Sequence, residues 1–158
     1  MKTLVLIGAG DFARTLSDIL RKINQFDEII YLDDTSEEGI SGCCLLCIEY
    51  LSDNTEFYPE ISDNRVRQSW IDLLYEKNAT IATIVHPSAY VSPTVWVADG
   101  VAVLPGAIVI TGCCLASGLL VNCGAVIDHE FVVESCAHIK PKAVARAMST
   151  ITALDIVE

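Results

Sequence analysis

Between Lys77 and Lys140 the chain contains no lysine and no arginine. Basic residues are scarce throughout, with 10 against 21 acidic residues in 158 and a formal charge of −11. A nucleic-acid backbone or an anionic membrane surface needs a basic footprint, so the composition argues against both partners. No apolar run approaches the length of a bilayer span. The opening MKTLVLIGAG places a lysine before apolar residues, but Asp11 and Arg14 end the run before a secretory core is complete, and it reads as a buried first strand. The seven cysteines are an odd number in apolar contexts. They offer no disulfide framework and suit a reducing, cytoplasmic setting. Cys44 and Cys47 stand at metal-ligand spacing, yet no second pair follows, so they read as packing residues and no metal is expected.

What the first half does contain is an alternation of strand and helix. TLVLI is a short apolar run bounded by glycine, as expected of a strand covered on both faces. After GAGD, residues Phe12, Leu16, Ile19, Leu20 and Ile23 recur at helical spacing, and EIIYLDD reads as a second strand closing on acids. FYPEIS suggests a further strand, Asn64 to Lys77 a second helix, and ATIATIV an extended exit to His86-Pro87. Gly8 and Gly10 would let the backbone approach a phosphate at a helix start, where free N–H groups favour an anion. Asp33 and Asp34 stand about where such a fold bonds a ribose hydroxyl. Asn64 and Arg67, at the start of the later helix, would reach the same ligand; for Arg67 a solvated surface position is an equal reading.

From Ala89 the period becomes six. The third place of each hexad is aliphatic at Val91, Val97, Val103, Val109, Leu115, Val121, Ile127, Val133 and Ile139, and the sixth is glycine at Gly100, Gly106, Gly112, Gly118 and Gly124. Short strands joined by sharp turns explain both columns, glycine being the residue that takes left-handed backbone angles freely. The pattern predicts a β-helix in which each coil stacks on the last. With three hexads to a coil, Tyr90, Ile108, Val126 and Val144 form one outward column, and Trp96, Cys114 and Val132 another. Exposed apolar columns call for a partner surface, so a homotrimer of parallel prisms is expected, unless the helical half covers them.

Several stretches carry a resemblance over almost the whole chain: GAGDFAR, YLDD, ISDNRVR, HPSAYVSP, NCGAVIDHE and AHIKP. Together they resemble the sugar-nucleotide acetyltransferases of the left-handed β-helix class, such as the UDP-4-amino-sugar N-acetyltransferases and sialic acid O-acetyltransferases. The resemblance implies a Rossmann-like nucleotide-sugar domain followed by a hexapeptide-repeat β-helix that holds acetyl-CoA, serving bacterial glycan biosynthesis. It places Gly8, Gly10, Asp11, Phe12, Asp33, Asp34, Asn64 and Arg67 toward the sugar nucleotide. It makes His129 the base that takes a proton as the acceptor attacks the thioester, with Glu130 orienting it. Asn122, His138 and Lys140 fall on the acetyl-CoA side, His138 as donor to the thioester oxygen. Lys140, Lys142 and Arg146 would meet coenzyme A phosphates, or else solvent.

The chain departs from that family after AHIKP. Lys142 and Ala147 stand where turn glycines are expected, Ser62 replaces another glycine, and the hexads fade after about Ala145, so the carboxy-terminal coils of the family are expected to be missing. The expected organisation is thus a Rossmann-like domain over 1–84, a short β-helix over 85–147 and an irregular tail over 148–158. Two functions stand side by side: an acetyltransferase acting on a nucleotide-linked or free sugar, and a truncated non-catalytic relative that binds the nucleotide sugar or only oligomerises. An NAD-binding protein is a minor third.

Overall fold

The computed structural model describes residues 1–35, 39–146 and 150–158, with the side chains of Asp11 and Arg14 also outside the description. The chain divides into two compact units, Met1–Ala82 and Thr83–Glu158.

The first unit is a four-stranded parallel sheet with strand order β2-β1-β3-β4. Its strands are β1 (Thr3–Ile7), β2 (Glu28–Leu32), β3 (Thr55–Pro59) and β4 (Thr80–Ile81). Leu4, Val5, Leu6 and Ile7 are fully buried, which is why β1 is apolar at consecutive positions and pairs with both β2 and β3. Helix α1 (Asp11–Ile23) crosses between β1 and β2 and buries Ala13, Leu16, Ile19 and Leu20. It stops at Asn24, which turns left-handed at φ 54°. A 3-10 segment (Cys44–Tyr50) follows β2. Helix α2 (Asn64–Glu76) starts at Asp63, whose Oδ1 accepts the backbone N–H groups of Arg65 and Val66. The third strand is TEFYP, so Glu60 and Ile61, expected within it, lie just beyond its carboxyl end.

The second unit is a parallel β-helix built from two-residue strands, β5 (Ile84–Val85) to β17 (Ile156–Val157), arranged as three stacked sheets. Residues eighteen apart pair in register, as in Cys114 with Val132 and Leu120 with His138. First and third hexad places point inward. Val101, Val103, Ala107, Val109, Cys113, Leu115 and their successors through Ala145 and Ile151 form one continuous core. This is the fold class the hexads imply.

The turns hold a surprise. The sixth hexad place has positive φ not only at Gly100, Gly106, Gly112, Gly118 and Gly124, but also at Glu130 (53°), Cys136 (53°), Lys142 (63°) and Leu154 (67°). A left-handed residue with a Cβ costs about 1–2 kcal/mol. Each of these four donates its N–H to a carbonyl of the preceding coil: Thr111, Ser117, Cys123 and Ser135. The ladder therefore imposes the turn whether or not glycine is present.

The irregular tail expected over 148–158 is accordingly corrected. β16 (Thr150–Ile151) extends the column of Val132–Val133, and β17 that of His138–Ile139. The third place continues through Ala145, Ile151 and Val157. Loss of glycine signalled an end that aliphatic spacing and backbone bonding carry forward. Ala147 falls outside the described residues.

Candidate functional site

In the first unit, Gly8, Asp33 and Glu60 follow the carboxyl ends of β1, β2 and β3. In open parallel sheets ligands bind beyond these ends, at the point where the strand order reverses. Here that point lies between β1 and β3. Gly8 has φ 102°, and a Cβ there would come within 2.6 Å of the Glu60 carbonyl oxygen, so the fold itself requires this glycine. Gly10 differs. It caps α1 at φ −64°, and a Cβ there would meet nothing within 4 Å. The chain leaves open the space in front of the helix start, as room for an anionic group requires.

Asp33 serves the same turn. Its Oδ2 accepts the Ala9 N–H at 2.6 Å and its Oδ1 the Thr35 N–H at 2.8 Å. Burial raises its pKa, but the hydrogen bonds from Thr35, Ala9 and Asp34 outweigh it and hold the carboxyl below its ordinary value. Asp34 accepts the Cys44 N–H at 3.0 Å. Both expected ribose-binding acids thus also organise their own loop. Phe12 is half-buried on α1, and Asp11 opens that helix.

Arg67 is not the surface arginine the sequence allowed. It is 1% exposed, donating from Nη1 to the Ile61 carbonyl at 2.7 Å and from Nη2 to Asn64 Oδ1 at 2.8 Å. Both residues fix the β3–α2 connection. Glu60 escaped sequence reading altogether: it is 5% exposed, and burial, with the nearby Asp33 charge, pushes its carboxyl up to about 8 against the opposing pull of Arg67. An acid closing an apolar strand was the available signal.

In the second unit the candidates form two pairs. His129 stands half-exposed in the turn after β12 (Val126–Ile127), its Nδ1 2.9 Å from Asp128 Oδ1. A carboxylate only accepts, so Nδ1 carries the proton and a neutral ring keeps its lone pair on Nε2. The carboxylate that meets this ring is that of Asp128, where Glu130 was expected; Glu130 instead supplies the left-handed corner. The turn is pinned at three points. Asp128 N–H donates to the Ala145 carbonyl, Cys113 Sγ donates to the Asp128 carbonyl at 2.9 Å, and Glu130 N–H donates to the Thr111 carbonyl.

The second pair is Asn122 and His138. Asn122 Oδ1 accepts the Cys123 N–H at 2.8 Å, which orients the amide so that Nδ2 donates to His138 Nε2 at 3.1 Å. The neutral ring of His138 then carries its proton on Nδ1. Lys140, on the same coil, pairs its Nζ with Glu158. Among the described residues no group of histidine, cysteine or acid could hold a metal ion, and no helix is long and apolar enough to cross a membrane.

Residues 3–74 match the family model of the PglD N-terminal domain. No curated protein matches the chain. The acetyltransferase domain of PglB from Neisseria gonorrhoeae FA1090, solved in complex with acetyl coenzyme A, is 28% identical, with 90% of this chain and 72% of that one covered at a TM-score of 0.85. A histidine-to-alanine variant of GDP-perosamine N-acetyl transferase from Caulobacter crescentus, in complex with CoA and GDP-perosamine, is 25% identical over 91% of this chain and 70% of that one, at 0.79. WeeI from Acinetobacter baumannii AYE shares the fold at 16% identity, over 95% and 74%, at 0.81. The amino-terminal unit thus carries the PglD N-terminal domain match, and the chain is similar across both of its units to sugar acetyltransferases of the hexapeptide-repeat β-helix class.

Proposed function

We propose that this protein transfers the acetyl group of acetyl-CoA to an amine on a nucleotide-linked sugar, within bacterial glycan biosynthesis in the cytoplasm. The observation that carries this reading is the His129–Asp128 pair on the rim of the prism, with its Nδ1–H tautomer set by the carboxylate. Likeness to acetyltransferases solved with acetyl-CoA, and with CoA and GDP-perosamine, supports it.

Acetyl-CoA supplies an activated acyl thioester. His129 Nε2 takes the amine proton as nitrogen attacks, and Asp128 steadies the imidazolium that forms. The Asn122–His138 pair provides N–H donors suited to a thioester oxygen or an amide of the pantetheine arm. The amino-terminal unit holds the sugar nucleotide, with its diphosphate before the start of α1, where Gly10 leaves space. Lys140, Lys142 and Arg146 supply the cations for coenzyme A phosphates, Lys140 by exchanging Glu158 for phosphate.

Exposed second-place residues support a homotrimer. Tyr90 is 56% exposed, Trp96 60% and Val144 54%.

Release of free thiol from acetyl-CoA in the presence of UDP- and GDP-linked amino sugars tests the reading. Sugar-dependent release, abolished in His129→Ala, is the expected result. Binding of both substrates without any release would leave a non-catalytic relative and remove the assignment.

A further inference from the structure

From Ala89 to Ala143 the first place of every hexad is alanine, valine, leucine or phenylalanine, except at Cys113. That side chain stands just before β10 (Cys114–Leu115), is 1% exposed and belongs to the continuous core of the prism. It is therefore the one inward first-place side chain of that stretch able to donate a hydrogen bond. Its Sγ lies 2.9 Å from the carbonyl oxygen of Asp128 in the next coil, against 4.0 Å from that of Thr111, so its single hydrogen goes to Asp128. Burial pushes the thiol above its ordinary value, which keeps that hydrogen in place at neutral pH.

Elsewhere the corresponding carbonyls are met by the backbone. At His86, Ser92, Leu104, Asn122 and Lys140 the fourth-place carbonyl accepts the N–H three residues on. The fourth-place carbonyl of Asp128 is reached by a side chain from the coil beneath. Asp128 is also the residue whose Oδ1 accepts the backbone N–H of His129 and meets its ring Nδ1. A line of contacts thus runs from the interior of the prism, through the Asp128 peptide group and carboxylate, to the imidazole.

Resting on the reading of His129 as the base, we propose that Cys113 is a positioning residue for acetyl transfer: its thiol fixes the Asp128 peptide group from inside the prism, so that the carboxylate holds the His129 ring at the angle for proton transfer. Cys113 acts only through Asp128. A base displaced from its attack geometry loses rate in the chemical step while substrate binding persists.

The test is steady-state release of thiol from acetyl-CoA with UDP- and GDP-linked amino sugars, using the whole protein and its variants. Cys113→Ala removes the donor and should lower kcat roughly three- to tenfold with both KM values unchanged. Cys113→Ser keeps a donor and should stay within about twofold of the wild-type kcat, although a hydroxyl suits an apolar core no better than alanine does. In an Asp128→Ala background, Cys113→Ala should cost nothing further, because the carboxylate it steadies is already gone. Thermal unfolding reports the stability of each variant separately. If Cys113→Ala does not fold, Cys113→Val, which fills the space without a donor, takes its place. An unchanged kcat in Cys113→Ala, equal losses in the alanine and serine variants, losses that multiply in the double variant, or a rise in KM alone overturns this inference and leaves the acetyl-transfer reading standing. No sugar-dependent release by the wild type overturns both.

Discussion

One oxygen of Asp128 grips His129 at both ends: Oδ1 accepts the backbone N–H of His129 at 2.8 Å and lies 2.9 Å from its ring Nδ1. The side chain is thereby set in angle and tautomer by its immediate neighbour. If the proposed chemistry is right, His129→Ala lowers kcat by roughly 10²–10⁴ while the binding of nucleotide sugar persists. Asp128→Asn should cost on the order of tenfold in kcat with both KM values unchanged, a modest effect because the pair is half exposed. Steady-state kinetics separates the cases: a rise in KM alone would mean that Asp128 shapes the pocket and does not steer the base.

A second expectation concerns Glu60 and stability. Its unfolded value is near 4.5 and its folded value about 8, so the native state holds an extra proton between them. Stability contributed by the neutral acid is complete below the lower value and is lost as pH rises through the higher one. Glu60→Gln should flatten that slope and add on the order of 4 kcal/mol at pH 8. Urea unfolding at several pH values would show it. An identical slope in the variant would place the titration elsewhere.

The two turn glycines should behave differently. Gly8→Ala meets the Glu60 carbonyl at 2.6 Å in a left-handed conformation, a loss of about 3 kcal/mol or more. Gly10→Ala meets nothing and should cost about 1 kcal/mol or less, as a poorer helix cap. It should nonetheless weaken nucleotide-sugar binding, because the methyl enters the proposed phosphate space. Equal losses of stability in the two variants would contradict the geometry.

At Lys142 the left-handed turn is occupied by a residue with a Cβ. Lys142→Gly should relieve that strain, offset in part by the greater freedom of glycine in the unfolded chain, for a net gain of about 0.5–1 kcal/mol. A lower denaturation midpoint in the variant would show that the lysine stem packing above Gly124 matters more than the backbone.

How legible was all this beforehand? The third-place aliphatics announced the prism because they are its interior, and β1 announced the sheet because consecutive buried residues leave an uninterrupted apolar run. The last coil is hidden from the sequence because it lacks the glycines that mark the earlier turns, whereas Glu130, Cys136, Lys142 and Leu154 make the same turn under the ladder's constraint. For Arg67 the sequence supports a ligand-binding and a solvated position equally, because the acceptors that let it be buried, the Ile61 carbonyl and the Asn64 side chain, are not visible as such in the sequence. Glu60 was invisible because only the parallel pairing of β1 with β3 brings it to Gly8, across some fifty intervening residues. Asp128 was in plain view beside His129, but only coordinates tell which of the two flanking acids meets the ring.

The eighteen-residue register between strands such as Cys114 and Val132 also sets the grammar by which this chain can change length. Excising residues 107–124 would lower Ala125 onto the coil below with each column meeting its own kind, aliphatic on aliphatic and corner on corner. Excising a single hexad would rotate everything beyond it by one face and bring foreign columns together. Insertions and deletions in the prism should therefore be tolerated in whole coils, or as bulges at the corners, and not at lengths between.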